Sequence, residues 1–176
     1  MTNASLQLRR ATSADVPCIV ALVERAYRGE VSRAGWTTEA DLLDGQRTDR
    51  DEIAALCTSD TGRLVLALEG GALCGSVHLA PEPGGLYLGM LAVQPSLQGR
   101  GVGRALLDEA ERILRSEQLG RRIRMTVIGQ RSELIAWYVR YGYRVTGQRE
   151  PFPYGQPRFG LPRRPDLYFE VLEKLV

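Results

Sequence analysis

Residues Ala92-Val93-Gln94-Pro95-Ser96-Leu97-Gln98-Gly99-Arg100-Gly101-Val102-Gly103, with the amphipathic stretch that runs on from Arg104, constrain this chain more than any other part of it. An apolar run from Leu86 to Val93 reads as a strand that reaches Pro95, crosses a short polar turn and enters a glycine-rich loop opening directly into a helix. Glycines at 99, 101 and 103 let backbone N–H groups turn inward without a Cβ in the way. The first helical turn beyond them leaves its amides unpaired, with the positive end of the helix dipole facing the loop. Such a loop is an anion site, and a pyrophosphate fits it.

The rest of the composition mainly excludes. At 176 residues, 44% hydrophobic and 25% charged, the chain is expected to form one domain, residues 1–176, with a full core. No apolar run is long enough to span a bilayer, and Met1 to Arg10 lacks the apolar segment of a signal peptide, so no membrane association is expected and the default compartment is cytoplasmic. A net charge of +2 with dispersed arginines gives no nucleic-acid face. Cys18, Cys57 and Cys74 are too widely spaced for a disulfide framework or a zinc cluster. His78, the single histidine, cannot assemble a histidine metal site, so no metal is expected and a hydrolase triad would have to use this one residue.

In chain order, Leu6, Leu8 and Arg10 alternate with polar residues as a first strand. Thr12-Ser13 can cap a helix with Ile19, Leu22, Val23 and Ala26 on one face. Gly29 to Thr38 reads as a loop, Glu39 to Leu43 as a helical turn or two after a Thr38 cap, and Asp49 with Glu52 as the start of a helix carrying Ile53 and Leu56. Arg63 to Glu69, Leu73 to Ala80 and Leu86 to Val93, separated by Gly70-Gly71 and Pro81 to Gly85, form an antiparallel meander. A helix from Arg104 to Gln118, a strand from Arg122 to Ile128, a helix from Arg131 to Tyr141, a strand from Tyr143 to Gln148, a proline-rich loop and a strand from Asp166 to about Leu175 complete the order. The Leu86 and Arg122 strands, joined by a helix, should be parallel neighbours.

A glycine-rich loop opening a helix is shared by several nucleotide folds. No Gly-Lys-Ser/Thr follows it here, and the third glycine comes one residue early for the dinucleotide fingerprint. Gln98-Gly99-Arg100-Gly101-Val102-Gly103 instead resembles the Q/R-x-x-G-x-G/A signature of the GCN5-related N-acetyltransferases (GNAT), and the element order is similar over nearly the whole chain. A second motif is in register, since Ala136-Trp137-Tyr138-Val139-Arg140-Tyr141-Gly142-Tyr143 looks like the helix in which that family places an aromatic-Tyr pair before Gly-aromatic.

The resemblance implies a mixed α/β fold, with a mostly antiparallel sheet, a splayed parallel pair at the coenzyme site, and helices on both faces. It implies acetyl transfer from acetyl-CoA to a primary amine, small-molecule or peptide, by direct attack in a ternary complex. The amides of Gln98, Gly99, Arg100, Gly101, Val102, Gly103 and Arg104 would hold the coenzyme A pyrophosphate, with the side chains of Gln98, Arg100 and Arg104 near it. Leu91, Ala92 and Val93 would pair with the pantetheine arm, and the Leu91 amide would stabilise charge on the thioester oxygen. Tyr138 falls where the family often has the acid that protonates the departing thiolate, although one more packing aromatic would look the same. Its unperturbed pKa of about 10 lies above that of an alkyl thiol, about 8.5. Homodimers are frequent among relatives.

Two positions depart from the family. Leu88-Gly89-Met90-Leu91 lacks the carboxylate that often serves as base, leaving His78 and Glu30 as candidates, with a structural histidine the plainer reading of His78. Arg131 stands where an asparagine often binds the pantetheine; an arginine could bind a phosphate or amide oxygen there, or begin its helix in solvent. Trp36, Phe152, Tyr154 and Phe159 lie in the two loops that would cover the acceptor, either shaping its site or forming a flap. No cysteine matches a nucleophile position, so a covalent route is not expected. Two alternatives stay open: a coenzyme A-binding module without catalysis, and an enzyme using another acyl group or a protein N-terminus.

Overall fold

The computed structural model of the chain describes residues 6–176; the first five residues of the Met1 to Arg10 stretch lie outside it. Strand β1 (Gln7–Arg10) is followed by a capping box, in which the Asp15 carboxylate accepts from the Thr12 amide at 2.8 Å and from both terminal nitrogens of Arg9 at 2.8 Å. The box starts a 3-10 turn and then α1 (Val16–Tyr27), whose Ile19, Leu22 and Val23 are fully buried.

The next stretch differs from the expectation. Gly29 to Thr38 contains a short helix, α2 (Gly29–Ser32), and Glu39 to Leu43 is a single turn leading into β2 (Leu43–Asp44). The amides of Leu42 and Leu43 do bond back to the Glu39 carbonyl, as in a first helical turn. Propagation stops because Leu43 and Asp44 pair with a later strand and Gly45, at φ 76°, turns the chain away. Helix α3 (Arg50–Thr58) begins as expected, with Asp49 capping the Glu52 amide at 2.8 Å.

Strands β3 (Arg63–Glu69), β4 (Ala72–Glu82) and β5 (Gly85–Val93) form the meander. Helix α4 (Val102–Ser116) crosses to β6 (Arg122–Ile128), and α5 (Ser132–Arg140) leads into β7 (Arg144–Pro151). The proline-rich loop contains a 3-10 turn and β8 (Leu161–Pro162), the partner of β2; β9 (Tyr168–Leu175) then enters between β6 and β7. The main sheet runs β1-β3-β4-β5-β6-β9-β7, antiparallel except for the β5–β6 pair.

Helices cover both faces, and the alternation of β3 divides two cores. Val65 and Ala67 pack with Leu106, Leu107 and Ala110 of α4, while Leu64, Leu66 and Leu68 pack with Ile19, Leu22 and Val23 of α1 and with Ile53 of α3. On β5 the alternation reverses. Leu86 and Leu88 join the α4 core, whereas Met90 and Ala92, two and four residues on, join the α1 core. A bulge causes this: Ser76 pairs with Ala92 but His78 with Gly89, so Met90 and Leu91 together oppose Val77. Met90 takes a φ of 49°, a left-handed conformation worth on the order of 1 kcal/mol or more in strain for a non-glycine residue.

Candidate functional site

Pairing between β5 and β6 covers only Gly85 to Tyr87 against Arg122 to Arg124, although both strands continue well past it. Beyond Tyr87 they splay into a V whose arms are Leu88 to Val93 and Met125 to Ile128. The bulge at Met90-Leu91 lies on one arm, taking that backbone out of the ladder register with β4. On the same arm the Tyr27 hydroxyl donates to the Leu91 carbonyl at 2.8 Å, tying the end of α1 to the bulge.

At the tip of that arm stands the glycine loop. The amides of Gly99, Arg100, Gly101, Val102, Gly103 and Arg104 have no hydrogen-bond acceptor among the described residues, and the first bond into the helix runs from the Ala105 amide to the Gly101 carbonyl. Gly99 and Gly101 have φ of 78° and 88°, and a Cβ on either would meet open space. The loop is therefore a row of free donors at the positive end of a 15-residue helix. The side chains around it behave differently from one another. Gln98 turns inward, its Oε1 accepting from the Trp36 amide at 2.9 Å, so it fastens the α2 loop to the glycine loop. Its own amide bonds back to Pro95 at 3.4 Å. Arg100 is exposed, Arg104 makes a loose 3.6 Å pair with Asp108, and Val102 and Ala92 are buried in the two cores.

A cavity of about 130 Å³ runs from this loop to the V, lined by Leu91, Val93, Gly99, Gly101, Gly103 and the aromatic face of α5. Trp137 packs on Tyr141 with ring centres 4.7 Å apart and faces Trp36 at 6.1 Å. Trp137 and Tyr141 thus wall the cavity as well as packing the helix. Tyr138 is buried edge-on between Trp137 and Tyr143, and its hydroxyl has no hydrogen-bond partner among the described residues. Burial raises its pKa well above the ordinary phenol value, with Arg131 pulling weakly the other way.

A second cavity of about 360 Å³ opens on the other side of Leu91 and Tyr138, between the arms of the V and under the loops. Tyr27, Tyr138, Leu91 and Arg131 line both. Arg131 is not in solvent: its side chain is only 9% exposed, bonded to Glu39 at 2.8 Å and to the Thr37 hydroxyl at 2.9 Å. Glu39 also holds Arg28 in a buried pair. Burial alone would raise the Glu39 pKa, but Arg131 and Arg28 outweigh it and hold the carboxyl below its ordinary value. His78 faces this cavity with its pKa lowered by burial, so its imidazole is uncharged at neutral pH. Glu30 does not reach it; its carboxylate is 89% exposed and pairs with Arg33. Phe152 and Phe159 line the second cavity and Trp36 the first. Tyr154 instead staples its own loop, accepting from the Leu167 amide at 2.8 Å and donating to the Arg164 carbonyl at 2.9 Å. None of the three cysteines lines either cavity.

A splayed parallel pair, a bulge on one of its strands and a glycine loop at its tip form a recognisable arrangement, and comparison identifies it. A profile described as the Acetyltransferase (GNAT) family matches residues 23–143. The chain belongs to this family. Solved structures share the fold at low identity. They include the PaiA N-acetyltransferase from Thermoplasma acidophilum in complex with coenzyme A, 16% identical with a TM-score of 0.70 over 98% of this chain and 99% of that one. The ribosomal-protein-S18-alanine N-acetyltransferase from Escherichia coli is 14% identical with a TM-score of 0.71, over 98% and 94%. An IAA acetyltransferase from Bacillus cereus ATCC 14579 is 18% identical with a TM-score of 0.67, over 98% and 100%. No curated protein sequence matches the chain.

Within this GNAT scaffold, sequence reasoning missed the Arg28–Glu39–Arg131 cluster and the placement of Tyr27, Arg47 and Glu52 around the second cavity. These residues come from segments with no shared motif, and 92 positions separate Glu39 from Arg131.

Proposed function

We propose that this chain is an acetyl-CoA-dependent N-acetyltransferase acting on a primary amine by direct transfer in a ternary complex. The observation that carries the reading is the run of free amides from Gly99 to Arg104, set at the mouth of a cavity that ends on the Leu91 bulge and the Tyr138 hydroxyl. These donors suit a pyrophosphate, and their glycines leave room for one. The edge of Leu91 to Val93 left unpaired toward β6 suits an extended arm bearing amides, and Arg131, at the junction of the cavities, adds positive charge along its path. That a relative was solved with coenzyme A supports this choice of donor. Bound there, the coenzyme supplies an activated acyl thioester.

The chain's own groups then divide the work. The Leu91 N–H, at the bulge that lines both cavities, donates to oxygen where negative charge develops. Tyr138 stays protonated throughout the working pH range because burial raises its pKa, so its hydroxyl is available to the departing sulfur. A phenol of raised pKa would be a poor acid toward a solvated thiolate, but the same dry surroundings raise the proton affinity of the thiolate. The amine enters from the second cavity. Uncharged His78 and the carboxylate of Glu52 face it there as proton acceptors, where β5 itself has no acidic side chain.

The test is thiol release. With acetyl-CoA and a panel of primary amines, free coenzyme A should appear only when a suitable amine is present, and the amine should gain an acetyl group by mass. Tight coenzyme binding by calorimetry with no thiol released for any amine would make the chain a binding module instead.

A further inference from the structure

We infer that the second cavity selects a small amine that also carries an anionic group, carboxylate or phosphate, and that Arg47 is the residue that binds this group. The inference rests on the acyl-transfer reading only for the identity of the cavity as the acceptor site.

The charges lining this cavity are Arg28, Arg47 and Arg131 against Glu39 and Glu52. Glu39 is consumed by Arg28 and Arg131, which it holds in one buried cluster. The Nε atoms of both those arginines remain buried without a partner, so the cluster is short of acceptors and keeps a net positive charge. Glu52 has one oxygen engaged, its Oε2 accepting from the Thr48 hydroxyl at 2.6 Å, its charge acts on His78, and it forms no ion pair with an arginine among the described residues. Arg47 is thus left with no carboxylate and no hydrogen bond to its guanidinium among the described residues, although it is half-buried. Its amide is anchored by the Glu24 carboxylate at 2.6 Å, its guanidinium lies over the Tyr27 ring at 5.2 Å, and its charge reaches Glu39 only at a distance, without an ion pair. A guanidinium held over an aromatic ring, part-desolvated and facing a cavity, offers its planar fork to a carboxylate or phosphate.

Tyr27 also sets the length of the ligand. Its ring carries Arg47 while its hydroxyl reaches the Leu91 carbonyl at 2.8 Å, so one tyrosine side chain spans the gap from the anion site to the bulge where the acyl group must lie. An amine separated from its anion by a few bonds fits that span. The amino end of a protein, whose carboxylate is remote, gains nothing from Arg47.

The experiment compares matched pairs at saturating acetyl-CoA: alanine, phenylalanine and glutamate against their methyl esters, and ethanolamine phosphate against ethanolamine. Wild type should show at least a tenfold higher kcat/KM for the anionic member of the preferred pair. Esterification leaves more of the amine uncharged, which works against this result and makes it stringent. The amino-acid and phosphate arms identify which anion is read. In Arg47→Gln the ratio should fall towards one, mainly through KM, with coenzyme affinity and melting temperature unchanged; Arg47→Lys should retain part of it. Equal turnover of anionic and neutral amines, or a ratio unmoved by Arg47→Gln, would overturn the inference and leave acyl transfer intact. Calorimetry of the same ligands on coenzyme A-loaded protein separates the two readings. Arg47-dependent binding of the anionic amines without thiol release would sustain the anion site and sink acyl transfer, whereas neither binding nor turnover of any anionic amine overturns the anion site.

Discussion

At the scale of single residues, the proposed reaction rests on two atoms, the Leu91 amide nitrogen and the Tyr138 hydroxyl, and the second is removed by a conservative side-chain substitution. Tyr138 is already packed edge-on against Trp137 and Tyr143, so phenylalanine keeps the ring contacts and removes only the hydroxyl. Tyr138→Phe should lower kcat by about 100-fold, the range of a lost general acid, with little change in coenzyme affinity or melting temperature. A variant that turns over normally would make Tyr138 a packing residue. Because its pKa is raised by burial, the wild-type rate should show no loss of the acid form up to pH 10. Tyr138 was legible because a motif fixes its place in a helix. Arg131 was not, because its role depends on Glu39 and Thr37, which reach it through the fold and not through spacing. The same holds for the separation of His78 from Glu30, since only the structure distinguishes the cavity-facing residue from the solvent-exposed one.

At the scale of elements, the strand-loop-helix unit from β5 to α4 works as one device: the strand delivers the bulge, the loop frees the amides and the helix supplies the dipole. Gly101 sits at its joint, in a left-handed conformation with open space where a Cβ would go. Gly101→Ala should cost about 1–2 kcal/mol through backbone strain, or a few degrees of melting temperature in a chain of this size. It should also raise the coenzyme A dissociation constant about tenfold or more by distorting the donor row, which calorimetry would measure. Unchanged coenzyme affinity in folded protein would reduce the loop to a turn. This device was legible because glycines and apolar runs are local signals. In the stretch from Gly29 to Leu43 the turn at Glu39 was legible, but α2 and the start of β2 were missed, for the opposite reason. Its single turns have no periodicity long enough to register, and β2 exists only because β8, more than a hundred residues later, pairs with it. The bulge was equally hidden, since Leu86 to Val93 reads as uniformly apolar whether or not it changes face at Met90.

At the scale of the whole molecule, the two arms of the V must be held at a fixed opening while their tips stay unpaired. Glu39 does much of this. It joins Arg28, at the end of the helix packed on β5, to Arg131, which follows β6, and its amide bonds to the Tyr27 carbonyl at 3.2 Å. Glu39→Gln preserves shape but leaves two guanidinium groups buried without a counter-charge. Breaking such a cluster costs about 3–5 kcal/mol, which corresponds to a melting temperature lower by roughly 6–20 °C. The pH dependence gives an independent reading. The folded pKa of Glu39 is below its unfolded value of about 4.3, so its contribution is complete above that pH and is lost as pH falls below it. Asp15, held down chiefly by its bond to Arg9, acts in the same direction. Wild-type melting temperature should therefore drop on acidification below about pH 4.5, and Glu39→Gln should show a shallower drop, keeping the share of Asp15 and the small shares of the exposed Asp41 and Asp166. A variant that melts with wild type at pH 7 would mean that the buried cluster costs as much in desolvation as it returns in attraction. The opening of the V would then be set by the sheet and helices alone, and coenzyme affinity in Glu39→Gln, measured alongside, should be unchanged.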